Sequence, residues 1–101
     1  GRLLENIVFL ELLRRGKDVF YYSDKNECDF LIREGLEIVE AIQVVYQLEA
    51  GNCQREYLGL SEAMSKYNIK RGLLLVYEAD KSLIHEKEGV EVISVWNWLL
   101  A

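Results

Sequence analysis

The sequence predicts an α/β domain, a mixed sheet with helices on its faces, in the order α-β-β-β-α-β with a C-terminal hairpin. Three observations carry this prediction. Residues 2–15 are apolar at helical spacing and stop at Gly16. Residues 19–48 hold three β-branched and aromatic runs parted by the turn words Ser23-Asp24-Lys25-Asn26 and Glu34-Gly35. Residues 57–67 repeat apolar side chains every three or four positions, and the apolar run Leu73–Tyr77 follows them.

Each element has its own signal. In the first helix, Leu3, Val8, Phe9, Leu10, Leu12 and Leu13 cover a wide arc, with Glu11, Arg14 and Arg15 opposite, and Gly16 suits the residue after a helix end. Val19-Phe20-Tyr21-Tyr22 favours a pleated strand. Residues 29–32 form the next strand. Residues 36–48 read as a long strand whose nearly continuous apolar centre, 39–46, suits cover on both faces. Tyr57, Leu60, Met64 and Tyr67 predict an amphipathic helix packed on the sheet. A strand after such a helix pairs parallel with the strand before it, so Leu73–Tyr77 is expected beside residues 36–48. Residues 82–86 and 90–95 are expected to form a hairpin around Glu88-Gly89. Residues 96–100 close the chain as a short helical turn, with Trp96 and Trp98 expected in the core.

At 101 residues the chain fits a single domain, 1–101, and with half of it hydrophobic it can build a core. Its formal net charge of -5 works against non-specific nucleic-acid binding, which needs clustered Lys and Arg. Cys28 and Cys53 have no metal-ligand spacing and are expected as free thiols. The sequence shows no signal peptide, apolar membrane run or lipidation motif, so the cytoplasm is expected and no membrane partner. Helical patterning from Arg2, without an initiator Met, leads to the expectation of a fragment of a longer protein.

Three residues stand out chemically. Glu5 falls inside the apolar arc of its helix, an unusual place for a carboxylate. It is either a first-turn acid favoured by the helix dipole or a site residue. Asp29 sits on a strand, as a structural strand-end acid or a metal ligand. Gln43 lies within Ile42-Gln43-Val44-Val45, as a buried amide satisfying the backbone or Glu5, or in place of an acid. His85 with Glu86 and Glu88 reads as a solvated hairpin in preference to a metal site.

The order helix acid, strand aspartate, strand pair resembles the PD-(D/E)XK nuclease superfamily. More closely, Leu3-Leu4-Glu5-Asn6-Ile7-Val8-Phe9-Leu10-Glu11-Leu12, Phe20-Tyr21-Tyr22, Cys28-Asp29-Phe30, Ile42-Gln43-Val44-Val45-Tyr46, Arg55-Glu56 and Val95-Trp96-Asn97-Trp98-Leu99-Leu100 resemble, in order, the C-terminal nuclease-like domain of unknown function of prokaryotic AAA+-type ATP-binding proteins. The resemblance covers essentially the whole chain. It implies an N-terminal P-loop module on the parent chain, absent here because no G-x-x-x-x-G-K-[ST] occurs. It places superfamily roles on Glu5 (helix acid), Asp29 (metal ligand) and Gln43 (replacing the second acid), while Val45 replaces the lysine.

These departures bear on chemistry. A neutral amide attracts a divalent cation less than a carboxylate does. Losing the amine that positions the attacking water costs on the order of 10²–10⁴ in rate. The leading expectation is a non-catalytic module with no cofactor, serving partner binding, self-association or regulation beside the ATPase module of its parent chain. The alternative is a Mg²⁺-dependent nuclease with a relocated lysine, Lys17 or Lys25. A nucleic-acid-binding domain without cleavage is a third, disfavoured by charge.

Overall fold

The computed structural model describes residues 2–84, 87 and 89–101. Its elements are α1 (Arg2–Arg14), β1 (Asp18–Ser23), β2 (Glu27–Glu34), β3 (Glu37–Leu48), α2 (Cys53–Lys66), β4 (Arg71–Ala79), a 3₁₀ turn (Lys81–Leu83), β5 (Val90–Ser94) and α3 (Val95–Leu100). The five strands lie in sequence order, β1-β2-β3-β4-β5. The first three form an antiparallel meander, and β4 and β5 each join parallel to the strand before.

Local chemistry closes the elements. The N–H groups of Gly16 and Lys17 donate to Leu13 O and Leu12 O, with Gly16 at φ +75°, a left-handed cap that ends α1. Asn68, at φ +52°, does the same for α2, its neighbour Ile69 donating to Met64 O at 2.8 Å. Ser94 caps α3 by accepting from Asn97 N at 3.1 Å.

The core has two halves, one on each face of the sheet. Tyr57, Leu60 and Ala63 of α2 pack on Tyr22, Cys28, Leu31, Ala41, Val45 and Leu74. Leu4, Val8 and Leu12 of α1 pack with Val95 and Trp98 of α3 on Ile32, Ile42, Val44, Leu73 and Leu75. Thus β3 and β4 are covered on both faces, as their apolar runs predict.

The fold corrects the sequence reading in three places. The expected C-terminal hairpin is not formed as drawn. Ser82 and Leu83, from its first arm, lie in the 3₁₀ turn, where Asp80 accepts from Ser82 N and Ser82 Oγ. The second arm pairs parallel with β4, register Gly72↔Val90 to Val76↔Ser94. A parallel neighbour requires the chain to run back along the sheet before β5 begins. The expected turn survives as an isolated Lys87↔Val90 bridge with Gly89 at φ +79°, while His85, Glu86 and Glu88 lie outside the described residues.

The second correction concerns α1. It buries Leu4, Val8 and Leu12, while Leu3, Leu10 and Leu13 face out. Glu11 and Arg15, assigned to the solvent face, are half-buried. Arg15 donates to Trp98 O at 2.7 Å and lies 4.4 Å above the Trp98 ring, clamping α3 against α1. The two arginines hold the Glu11 carboxyl down at about 2. Third, the tryptophans divide: Trp98 is core and Trp96 is exposed.

Candidate functional site

The strand β2 carries a bulge where the sequence places its aspartate. Phe20 pairs with Leu31 and Tyr22 with Cys28, so Tyr21 opposes two residues, Asp29 and Phe30. Bulges re-aim side chains. Here Cys28 and Leu31, three apart, both enter the core on the α2 side. The β2–β3 ladder also ends here, its last pair being Phe30↔Ile42.

Beyond that pair, two side chains replace the ladder. Asp29 N–H donates to Gln43 Oε1 at 2.9 Å, and Val44 N–H donates to Asp29 Oδ2 at 2.7 Å. Gln43, only 3% exposed, also uses its amide nitrogen, donating to Glu27 O at 3.0 Å and to Glu56 O at 3.3 Å. One amide therefore ties β2, β3 and α2 together. The close approach of α2 depends on Gly59: a Cβ there would lie 2.0 Å from Glu27 O and 2.7 Å from Gln43 Nε2.

A cleft of about 410 Å³ opens over this junction, lined by Glu5, Lys25, Glu27, Asp29, Gln43 and Glu56, with Asn26, Val44 and Arg55 completing the wall. Three elements supply its acids: α1 gives Glu5, β2 gives Glu27 and Asp29, and α2 gives Glu56. Burial pushes the Asp29 carboxyl up to about 7; the Val44 N–H opposes this, and the Glu5 and Glu56 carboxyls reinforce it. Burial likewise raises Glu56, against the pull of Arg55, which approaches it to 3.4 Å.

The structure thus brings Glu5, Asp29 and Gln43 to one cleft. Val45 does not join them: it is 4% exposed and packs in the core on the α2 side. Of the two lysines weighed as replacements, Lys25 lines the cleft and Lys17 does not. Sequence reasoning did not single out Glu56 as a site residue. A signal was present: Glu56 stands four and seven residues before Leu60 and Ala63, both buried, as Glu5 stands three and seven before Val8 and Leu12.

Among the described residues, no group of three His, Cys, Asp or Glu side chains is placed to hold a metal ion. Gln43 Oε1 accepts from Asp29 N–H, and one Asp29 oxygen is engaged by Val44 N–H. Cys28 and Cys53 are free thiols, Cys28 fully buried. No helix among the described residues is long and apolar enough to cross a membrane.

Comparison with known proteins gives a consistent family. Residues 1–98 match the family described as "Domain of unknown function (DUF4143)". The chain is similar to an uncharacterised protein of Methanocaldococcus jannaschii, 38% identical over 99% of the chain and 25% of that protein. It is also similar to an uncharacterised protein of Haemophilus influenzae, 37% identical over 96% of the chain and 22% of that protein. The chain therefore spans about a quarter of the length of these relatives. No solved structure matches it.

Proposed function

This chain belongs to the DUF4143 family, and on that premise we propose that it is a non-catalytic, nuclease-like module of an AAA+-type ATPase, acting in the cytoplasm through partner binding, self-association or regulation. One observation carries the reading. Gln43, where the resemblance puts the second acid, has committed both ends of its amide to three backbone groups on β2 and α2. A side chain used that way holds the fold, and its neutral oxygen attracts a divalent ion less than the carboxylate it stands for. Burial of Val45 in the core removes the amine from the same strand. The relatives' greater length leaves room for an ATPase module. A G-x-x-x-x-G-K-[ST] motif in their unmatched portions supports that part of the proposal, and its absence from both removes it.

The direct test is incubation of the chain with single- and double-stranded DNA and RNA in millimolar Mg²⁺ or Mn²⁺. The expected result is no cleavage above that of Asp29→Ala. Cleavage that Asp29→Ala abolishes overturns the proposal.

A second reading rests on Lys25, which lines the cleft with Asp29, Glu5 and Glu56. In it, Lys25 supplies the missing amine of a metal-dependent nuclease. It requires Mg²⁺ or Mn²⁺ binding by calorimetry that Asp29→Ala eliminates, together with cleavage that Lys25→Ala eliminates while the fold is retained. No heat of binding at millimolar ion disposes of it.

A further inference from the structure

The first helix is apolar on two opposite faces. Leu4, Val8 and Leu12 fill the core, while Leu3 (75% exposed), Ile7, Leu10 (63%) and Leu13 look outward. A helix apolar all round normally lies between two layers, and α1 has only one. Its outer stripe continues into an apolar groove of about 240 Å³ lined by Leu3, Ile7, Tyr46, Tyr77, Trp96 and Leu99, among others. Tyr46 stacks on Tyr77 at 4.9 Å, Tyr77 meets Trp96 at 6.2 Å, and Leu100, next to Leu99, is 85% exposed.

We propose that this face, the outer side of α1 with Tyr46, Tyr77, Trp96 and Leu100, is a homodimer interface that pairs α1 with α1 of a second copy. This deepens the contact-module reading and rests on it, naming the surface and the partner. Three observations select a second copy. The large apolar side chains of this face are exposed from 37% at Tyr77 to 85% at Leu100, and exposed apolar surface of this kind marks an interaction site. The groove is lined by no residue charged at neutral pH, and Arg14, at the end of the stripe, is already paired with Glu11 at 2.6 Å. Two copies each carrying a net charge of -5 can therefore meet here without like charges facing one another. The spacing of Leu3, Ile7 and Leu10, four then three, is the alternation of a helix–helix seam. In an antiparallel α1 pair with the two-fold axis between residues 6 and 7, Leu3 faces Leu10 of the other copy and the two Ile7 side chains lie close to the axis.

The experiment is sedimentation of the 101-residue chain from about 1 to 200 μM, with Leu10→Glu and Trp96→Ser as separate variants. The expected result is a monomer–dimer equilibrium for the parent and a dissociation constant at least tenfold weaker in each variant, with helix content by circular dichroism unchanged. Independently, Ile7→Cys in a Cys53→Ser background should give a disulfide-linked dimer on mild oxidation, and Leu36→Cys, on a fully exposed distant turn, should not. A parent that stays monomeric at 200 μM, or a dimer indifferent to both surface variants, overturns the proposal. The cleavage assay above is a separate readout: activity there sinks the contact-module reading whatever the sedimentation shows, and a monomer without cleavage sinks only this interface.

Discussion

At the scale of single residues, the cleft turns on an amide and an acid placed beside each other for different reasons. Gln43 must both accept and donate, since it faces one N–H and two carbonyls. A carboxylate has no donor. Restoring the superfamily's acid by Gln43→Glu should therefore destabilise the fold by about 1–3 kcal/mol, through the lost N–H bonds to Glu27 O and Glu56 O and a desolvated charge. Urea denaturation at pH 7 reads this directly, and a variant as stable as the parent would contradict the structural role given to Gln43. Asp29 predicts a pH dependence. Its folded-state pKa lies near 7, above the ordinary 3.8, so folding favours its protonated form. That contribution is complete below about pH 4, is lost as pH rises through 7, and is flat above. Asp29→Asn, which keeps an oxygen for Val44 N–H, should remove the dependence. The stability difference between variant and parent should grow by a few kcal/mol between pH 4 and 8. A constant difference across that range would mean that Asp29 is ionised throughout. Glu5 and Asp29 were visible in the sequence as acids in apolar company. Glu56 carried the same mark, but its helix also displayed Arg55 and Glu62, and a polar helix surface hides one inward acid among several outward ones.

At the scale of elements, what places the cleft is how α2 sits on the sheet. Its helical period and buried stripe were legible, because Tyr57, Leu60 and Met64 recur at the right interval. The reason for Gly59 was not, since its meaning lies in the distance to Glu27 O on another element. Gly59→Ala should cost about 1–3 kcal/mol, beyond the small gain that alanine gives an ordinary helix position, because the added methyl overlaps backbone. Thermal unfolding measures it. A rise in melting temperature would show that α2 is free to shift outward. The bulge at Asp29-Phe30 belongs to the same class of feature. No glycine or proline marks it; it exists because Tyr22 and Cys28 must enter the core together while the strand also presents Asp29 to the cleft. The hairpin predicted near the C-terminus failed for a related reason. Val90–Ser94 reads as a strand in any partnership, and its parallel place beside β4 follows from the free edge that β4 offers and the length of the return segment.

At the scale of the whole molecule, charge and apolar surface act in opposite directions. The net charge of -5 and the acids around the cleft should leave the chain without affinity for duplex DNA or RNA of mixed sequence, even at about 20 mM salt, where phosphate contacts are strongest. Retardation on a native gel at that salt, relieved at 200 mM, would revive a nucleic-acid role. The apolar outer face of α1 is instead where a second molecule can approach. From residue order alone came the class of fold, the antiparallel meander, the parallel fourth strand and the two acids and amide worth watching, because helical and strand periods, turn residues and connection lengths are properties of neighbouring positions. Packing was needed to show that Gln43 is a tie between three elements, that Val45 is core, that Glu56 turns inward, and that α1 leaves its second apolar face bare. Those facts depend on which side chains meet across the sheet, and a one-dimensional pattern fixes how a face repeats without saying what lies against it.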